Sequence, residues 1–201
     1  RGENPPPYDV EIQPSSKCNL ACEHCFGRFY PRLPNLMGEK ELGEIAKKID
    51  DFQEGDFKVE VAKFCGTTGE PLVNPVIAKG IKLFKELGKK VIVFTNGLWL
   101  DNGIEDGRDY SDYILYADKL NLSLDAGSDE TFFQIKKVNG FSRIVNSLEN
   151  LIEKRNSNGS RLNVVISYVI GENNYDEIVR ATKLVKNIGA DEMVFRVDFT
   201  N

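Results

Sequence analysis

Hydrophobic and polar positions along the 201-residue chain switch repeatedly between a period of two and a period near 3.6. The period-two runs predict strands at residues 8–13, 58–64, 90–95, 119–124, 161–170 and 193–199. The longer period predicts helices at 39–52, 75–87, 111–117, 141–157 and 175–188. Gly88 and Gly189 stop two of these helices. Ile144, Leu148, Leu151 and Ile152 recur at the spacing of a core-facing stripe. Strands that alternate with helices predict βα units, a parallel sheet and helices packed against it.

The faces of the later strands refine this. In the fourth strand Asn121, Ser123 and Asp125 oppose Leu120, Leu122 and Leu124. In the sixth, Val194, Arg196 and Asp198 oppose Met193, Phe195, Val197 and Phe199, and in the fifth Asn163, Val165 and Ser167 oppose Val164, Ile166 and Tyr168. A sheet covered by helices on both sides reads apolar on both. One polar face instead predicts a curved α/β sheet, a partial TIM-type (βα)6 barrel with a polar lumen. Active sites of such barrels sit at the C-terminal ends of the strands. The cysteine-rich loop at Cys18–Cys25, Gly66–Pro71, Thr95-Asn96-Gly97 and Asp125 all follow strands, so they are expected at one mouth.

Residues 1–8, rich in proline, are expected to be a lead-in linker, and residues 9–201 one core domain. The chain opens on Arg1 and stops just after the sixth strand, so a truncated N-terminus and a domain cut short after strand six are expected. With 41% hydrophobic and 28% charged residues the composition is that of a globular protein. A net charge of -5 argues against a broad nucleic-acid footprint. No apolar run is long enough to cross a membrane and no secretory signal is visible.

Three of the four cysteines, Cys18, Cys22 and Cys25, fall in eight residues, too close together to staple distant parts of a fold. They suit metal binding in a reducing compartment, which points to the cytoplasm. Three readings compete. A [4Fe–4S] cluster with three protein ligands leaves one iron open. A zinc site in a non-enzymatic module needs a fourth ligand, and His24, adjacent to Cys25, closes a tetrahedron poorly. A dithiol at Cys22 and Cys25 leaves Cys18 unexplained.

The run Cys18-Asn19-Leu20-Ala21-Cys22-Glu23-His24-Cys25-Phe26 resembles the C-x3-C-x2-C signature of the radical S-adenosylmethionine (SAM) enzymes, in the style of the SPASM and twitch members. Thr68-Gly69-Glu70-Pro71, after the second strand, resembles the GGEP motif of that family, with threonine in place of its first glycine. Thr95-Asn96-Gly97, Ser123-Leu124-Asp125, Gly140-Phe141 and the segment 173–177 resemble family segments in order.

The resemblance implies a [4Fe–4S] cluster on Cys18, Cys22 and Cys25, with SAM on the open iron. It implies reductive cleavage of SAM to methionine and a 5′-deoxyadenosyl radical that abstracts hydrogen from a substrate. It places SAM near His24, Thr68, Gly69, Glu70, Asn96, Ser123, Asp125, Ser167 and Arg196. Gly69 and Glu70 would meet the amino group, and Ser123 and Asp125 the ribose or methionine end. Flavodoxin or ferredoxin would be the reductant. The substrate would be a peptide, or otherwise a sugar or other small molecule. Nucleic acid and membrane partners are not expected.

Plainer readings stand beside these. His24 reads as a packing residue, Cys65 as a small buried hydrophobe, and Asn96-Gly97 as a turn. Asp125 equally suits a turn or a cap. Arg196 suits either a carboxylate ligand or an ion pair with Asp198 or Glu11. Trp99, Leu100 and the acidic loop at 101–109 read as surface, as do Lys136 and Lys137.

Overall fold

The computed structural model describes residues 6–30, 34–104 and 107–197. Its elements run β1 (Asp9–Ile12), α1 (Glu39–Asp51), β2 (Gln53–Glu54), β3 (Phe57–Lys58), β4 (Val61–Phe64), α2 (Val76–Glu86), β5 (Lys90–Thr95), α3 (Tyr110–Ile114), β6 (Lys119–Ser123), α4 (Asp129–Lys136), α5 (Phe141–Asn158), β7 (Asn163–Ile170), α6 (Ile178–Ile188) and β8 (Glu192–Val197). Six strands form one parallel sheet in the order β1-β4-β5-β6-β7-β8. Sequential order is the winding of a barrel; a doubly wound sheet reverses at a switch point. Among the described residues β1 and β8 are the edge strands of this sheet.

The register places Phe64, Val93, Leu120 and Val164 in one layer, and Ala62 and Val91 in the one before it. All are fully buried and share one core with Leu42 of α1, Ile77, Ile81 and Phe84 of α2, Leu148 and Leu151 of α5 and Val185 of α6. The opposite face mixes Ile92, Phe94, Val165 and Val169 with Asn121, Ser123, Ser167 and Arg196, so the polar face expected from the alternation holds in part. Ser167 donates to Asn121 Oδ1 at 2.7 Å and accepts from Arg196 at 2.8 Å, so one chain of hydrogen bonds crosses β6, β7 and β8. At the other edge Lys63 pairs with Asp9 at 2.8 Å.

The structure corrects several boundaries. The second long strand begins at Val61, because residues 53–58 fold into the hairpin of β2 and β3. Its signal is Gly55-Asp56, a two-residue turn with a positive φ at the glycine. Helix α3 starts and stops earlier than the apolar pattern predicts, at Tyr110 and Ile114, because Asp109 caps it and exchanges hydrogen bonds with Asp112. Helix α4 is additional. Ser128 Oγ accepts from Thr131 N and Asp129 and Glu130 follow in the first turn, a start signal that the short apolar pattern obscures. Residues 175–177 form a 3-10 turn ahead of α6. Asp198 and Phe199 of the expected last strand, and residues 1–5 of the expected linker, lie outside the described residues. No helix among the described residues is long and apolar enough to cross a membrane.

Asn74 ties this frame to the mouth. Its buried amide donates to Pro14 O at 2.7 Å and Met37 O at 2.9 Å, and its Oδ1 accepts from Val76 N at 3.1 Å. One side chain thus joins the loop after β1 to the start of α2. Asn74→Ala orphans two carbonyls and an N–H. A loss of about 3 kcal/mol is expected, read as a lower denaturant midpoint with an unchanged m-value.

Candidate functional site

The loop after β1 carries Cys18, Cys22 and Cys25, all free thiols and half-buried. Its backbone is docked from two sides. Glu23 N donates to Ile135 O at 3.0 Å and Ala21 N to Lys136 O at 3.4 Å, so the loop rests on the last turn of α4. Glu70 N donates to Lys17 O at 2.7 Å, which holds the other side against the loop after β4. That second contact requires glycine. A Cβ on Gly69 would lie 2.0 Å from Ser15 O, and one on Gly66 would lie 2.2 Å from Gly69 O.

Glu70 is 3% exposed, and its carboxylate is saturated. It accepts from Leu72 N at 3.0 Å, Thr95 Oγ1 at 2.6 Å and Asn96 N at 2.8 Å. Burial raises its carboxyl above the ordinary range, an effect the three donors and the Lys136 charge offset in part. The side chain is therefore a fastener between the ends of β4 and β5. Asn96 extends the link, donating to Asn19 Oδ1 in the cysteine loop at 2.8 Å.

Asp125 makes the matching fastener on the far side. It sits just past β6 in the left-handed region, at φ 59°, and is 1% exposed. Its Oδ1 accepts from Val169 N at 2.6 Å, and its Oδ2 pairs with Lys136 Nζ and lies 3.3 Å from His24 Nε2. Burial alone would raise this carboxyl, but the Lys136 charge and the His24 contact hold it well below the usual carboxylate range. Asn174, also buried, braces the corner by donating to Asp125 O at 2.9 Å and Val169 O at 2.8 Å.

These parts enclose a pocket of about 200 Å³. Of the residues expected around cluster and SAM, Cys18, Cys22, His24, Cys25, Gly69, Glu70, Asn96, Ser123 and Asp125 line it. Thr68, Ser167 and Arg196 do not. Thr68 backs the loop, its Cα 2.9 Å from where a Cβ on Gly27 would lie. Ser167 is consumed by Asn121 and Arg196. Arg196 binds Ser167; of the two acids considered for it, Asp198 lies outside the described residues and Glu11 hydrogen-bonds Cys65. Cys65 is half-buried and off the pocket, its thiol pushed up to about 11 by burial and by Glu11. A hollow of about 770 Å³ beside α1 is larger but holds no cysteine, so chemistry rather than size selects the site.

Lys136 is the correction of most consequence. It was expected on a helix surface, yet it is 2% exposed and lines the pocket. Phe132, Ile135 and Lys136 recur at the spacing of a buried helix face, a signal that the missing α4 assignment hid. Lys137 is exposed as expected, 3.9 Å from Glu23.

The donor set fits an iron–sulfur cluster. Three thiols on one short loop line a single pocket, with a cation beside them to balance thiolate charge. Among the described residues no three His, Cys, Asp or Glu side chains converge tightly enough to ligate one metal ion. Thiolates on separate irons of a cluster need no such convergence.

The comparisons agree. The family model described as Radical SAM superfamily matches residues 12–185. A probable GTP 3′,8-cyclase of Saccharolobus islandicus is 25% identical over 189 residues, covering 94% of this chain and 56% of that protein. A probable GTP 3′,8-cyclase of Methanocaldococcus jannaschii is 29% identical over 146 residues, covering 72% of this chain and 45% of that protein. The chain thus spans about half the length of the curated relatives it matches. Among solved structures, Streptococcus suis SuiB bound to the precursor peptide SuiA superposes with a TM-score of 0.74 at 20% identity, over 96% of this chain and 39% of that one. The protein anSMEcpe with bound AdoMet superposes with a TM-score of 0.69 at 19% identity, over 96% and 50%. These likenesses show the fold, a partial TIM-type barrel. The match over residues 12–185 places the chain in the radical SAM superfamily, whose members use a [4Fe–4S] cluster and SAM.

Proposed function

We propose that this chain is the core of a radical SAM enzyme, with the cluster on Cys18, Cys22 and Cys25 and SAM in the pocket they share with Gly69, Glu70, Asn96, Ser123 and Asp125. One observation carries the reading: the three thiols and the Gly66–Pro71 loop, distant in sequence, face the same pocket of about 200 Å³. When bound, the reduced cluster supplies the electron that cleaves SAM and yields a hydrogen-abstracting radical.

The chain's own residues supply position. Glu70 holds the ends of β4 and β5 together, and Asp125 holds β6, β7 and α4 around the opposite wall. With their side chains saturated, both offer SAM fixed backbone and packing surfaces rather than mobile charges. Thr95, Asn96 and Ser123 are uncharged polar side chains on that lining; Thr95 and Asn96 are engaged with Glu70, Asn19 and Leu98 N, and Ser123 suits a ribose hydroxyl. The walls limit water around the reacting atoms. Thr68, Ser167 and Arg196 stand outside the lining, and the reading gives them supporting roles.

The substrate class proposed is a peptide, which the style of the cysteine loop favours. SuiB, one of the structural neighbours, was solved with its precursor peptide. A second reading is a small nucleotide, favoured by the naming of the curated relatives as probable GTP 3′,8-cyclases. A reductant of the flavodoxin or ferredoxin type and a cytoplasmic location belong to the same proposal.

Anaerobic reconstitution of the protein is expected to yield one [4Fe–4S] cluster and, on reduction, methionine and 5′-deoxyadenosine from SAM. Replacing Cys18, Cys22 and Cys25 with Ala should abolish both the cluster absorption and the cleavage. Persistent cleavage in that triple variant, or stoichiometric zinc without iron, rules the reading out. Glu70→Gln replaces one accepting oxygen with an NH2 group, set either against Asn96 N or against Leu72 N and Thr95 Oγ1. Weakening of SAM binding by about tenfold or more is expected, in line with ~1.5–3 kcal/mol for a hydrogen bond to a charged group. Equilibrium binding to the reconstituted protein measures it.

A further inference from the structure

Lys136 is a charged side chain buried in the wall of the pocket that holds the cysteines. It does not end a helix in solvent, and its Nζ is fixed on Asp125 Oδ2. Asp125 is itself immobilised by Val169 N and His24. Lys136 and Ile135 also supply the carbonyls on which the cysteine loop sits. Loop and cation are therefore tied to the same turn of α4.

We propose that Lys136 sets the reduction potential of the cluster held by Cys18, Cys22 and Cys25, and that Asp125 is the positioning residue that fixes it there. The inference rests on the reading of the site given above.

The physical argument is electrostatic. Three thiolates on a [4Fe–4S]2+ core carry a net charge of about -1, and one-electron reduction makes it about -2. The electron comes from the external reductant, and no bond forms or breaks. A fixed cation in a desolvated wall favours the more negative state. Lys136 lines the same pocket as the three thiols, and its own backbone carbonyl accepts from Ala21 of the cysteine loop, which keeps the cation beside the cluster site. Burial disfavours the charged lysine, and Asp125 together with the negative thiolate side of the pocket offsets it, so Lys136 stays charged.

The test is a potentiometric titration of the reconstituted protein without SAM, followed by the electron paramagnetic resonance signal of the reduced cluster. Iron and sulfide are measured on every sample. Lys136→Met is expected to lower the reduced fraction at a fixed solution potential about tenfold, a shift of roughly 59 mV to more negative values for a one-electron couple. Lys136→Arg keeps the charge and should restore the wild-type value. Asp125→Asn tolerates the left-handed backbone and should shift the potential the opposite way. The double variant, Asp125→Asn with Lys136→Met, leaves no unpaired buried charge and should fall between the two single variants.

With a full cluster present, an unchanged potential in Lys136→Met overturns the inference. So do shifts of the same sign in Lys136→Met and Asp125→Asn, which would mark general disruption. If the wild type itself assembles no cluster, the assigned function fails first.

Discussion

The structure turns on a buried carboxylate. Asp125 accepts from the backbone of β7, pairs with a lysine of α4 and touches the histidine of the cysteine loop. Parallel strands end with backbone groups that no neighbour in the ladder satisfies. Something must satisfy them where the chain turns into a loop, and a carboxylate does so with several acceptor sites at once. Remove it and three elements lose their common partner, with Lys136 left charged in an apolar wall. Truncating one partner of a buried pair typically costs about 3–5 kcal/mol.

Glu70 repeats the device one wall away. It too is buried, accepts from three donors and links strands that the sheet alone would not hold at their tips. Between the two fasteners the cysteine loop makes backbone bonds to both sides, to Lys17–Glu70 on one flank and to the end of α4 on the other. A loop of this length whose one regular piece is the 3-10 turn Phe26–Phe29 is ordinarily mobile. Here it is held by its surroundings, which is what three ligands to one cluster demand.

Much of this was legible in the residues. The alternation in the strand at 90–95 follows from burial on one face, whereas residues 164–168 are all buried, and polar positions of the later strands form the observed Asn121–Ser167–Arg196 chain. The cysteine spacing and Gly69-Glu70 marked two loops of the mouth, and nine of the twelve expected site residues line one pocket. What was not legible depends on tertiary context. Arg196 and Ser167 share the polar face but satisfy each other across β7 and β8, a pairing set by register. Lys136 looked like surface because lysine is almost never buried unless paired. Its partner lies eleven residues earlier, beyond the reach of any helical periodicity.

The same contrast explains why charge, and not only thiol chemistry, belongs to the site. A buried ion pair is weak evidence for stability, since apolar replacements of similar volume often do as well. The Asp125–Lys136 pair sits in the wall that the three cysteines share, where a hydrophobic pair could fill the space but could not balance thiolate charge. Its desolvation cost is offset by hydrogen bonds to Val169 and to His24, both in elements that shape the pocket. The other buried lysine, Lys89, reaches Asp50 at the surface and faces no chemistry. Where one is locked by a fully desolvated carboxylate beside the cluster ligands, its field is the property that an apolar substitute cannot supply.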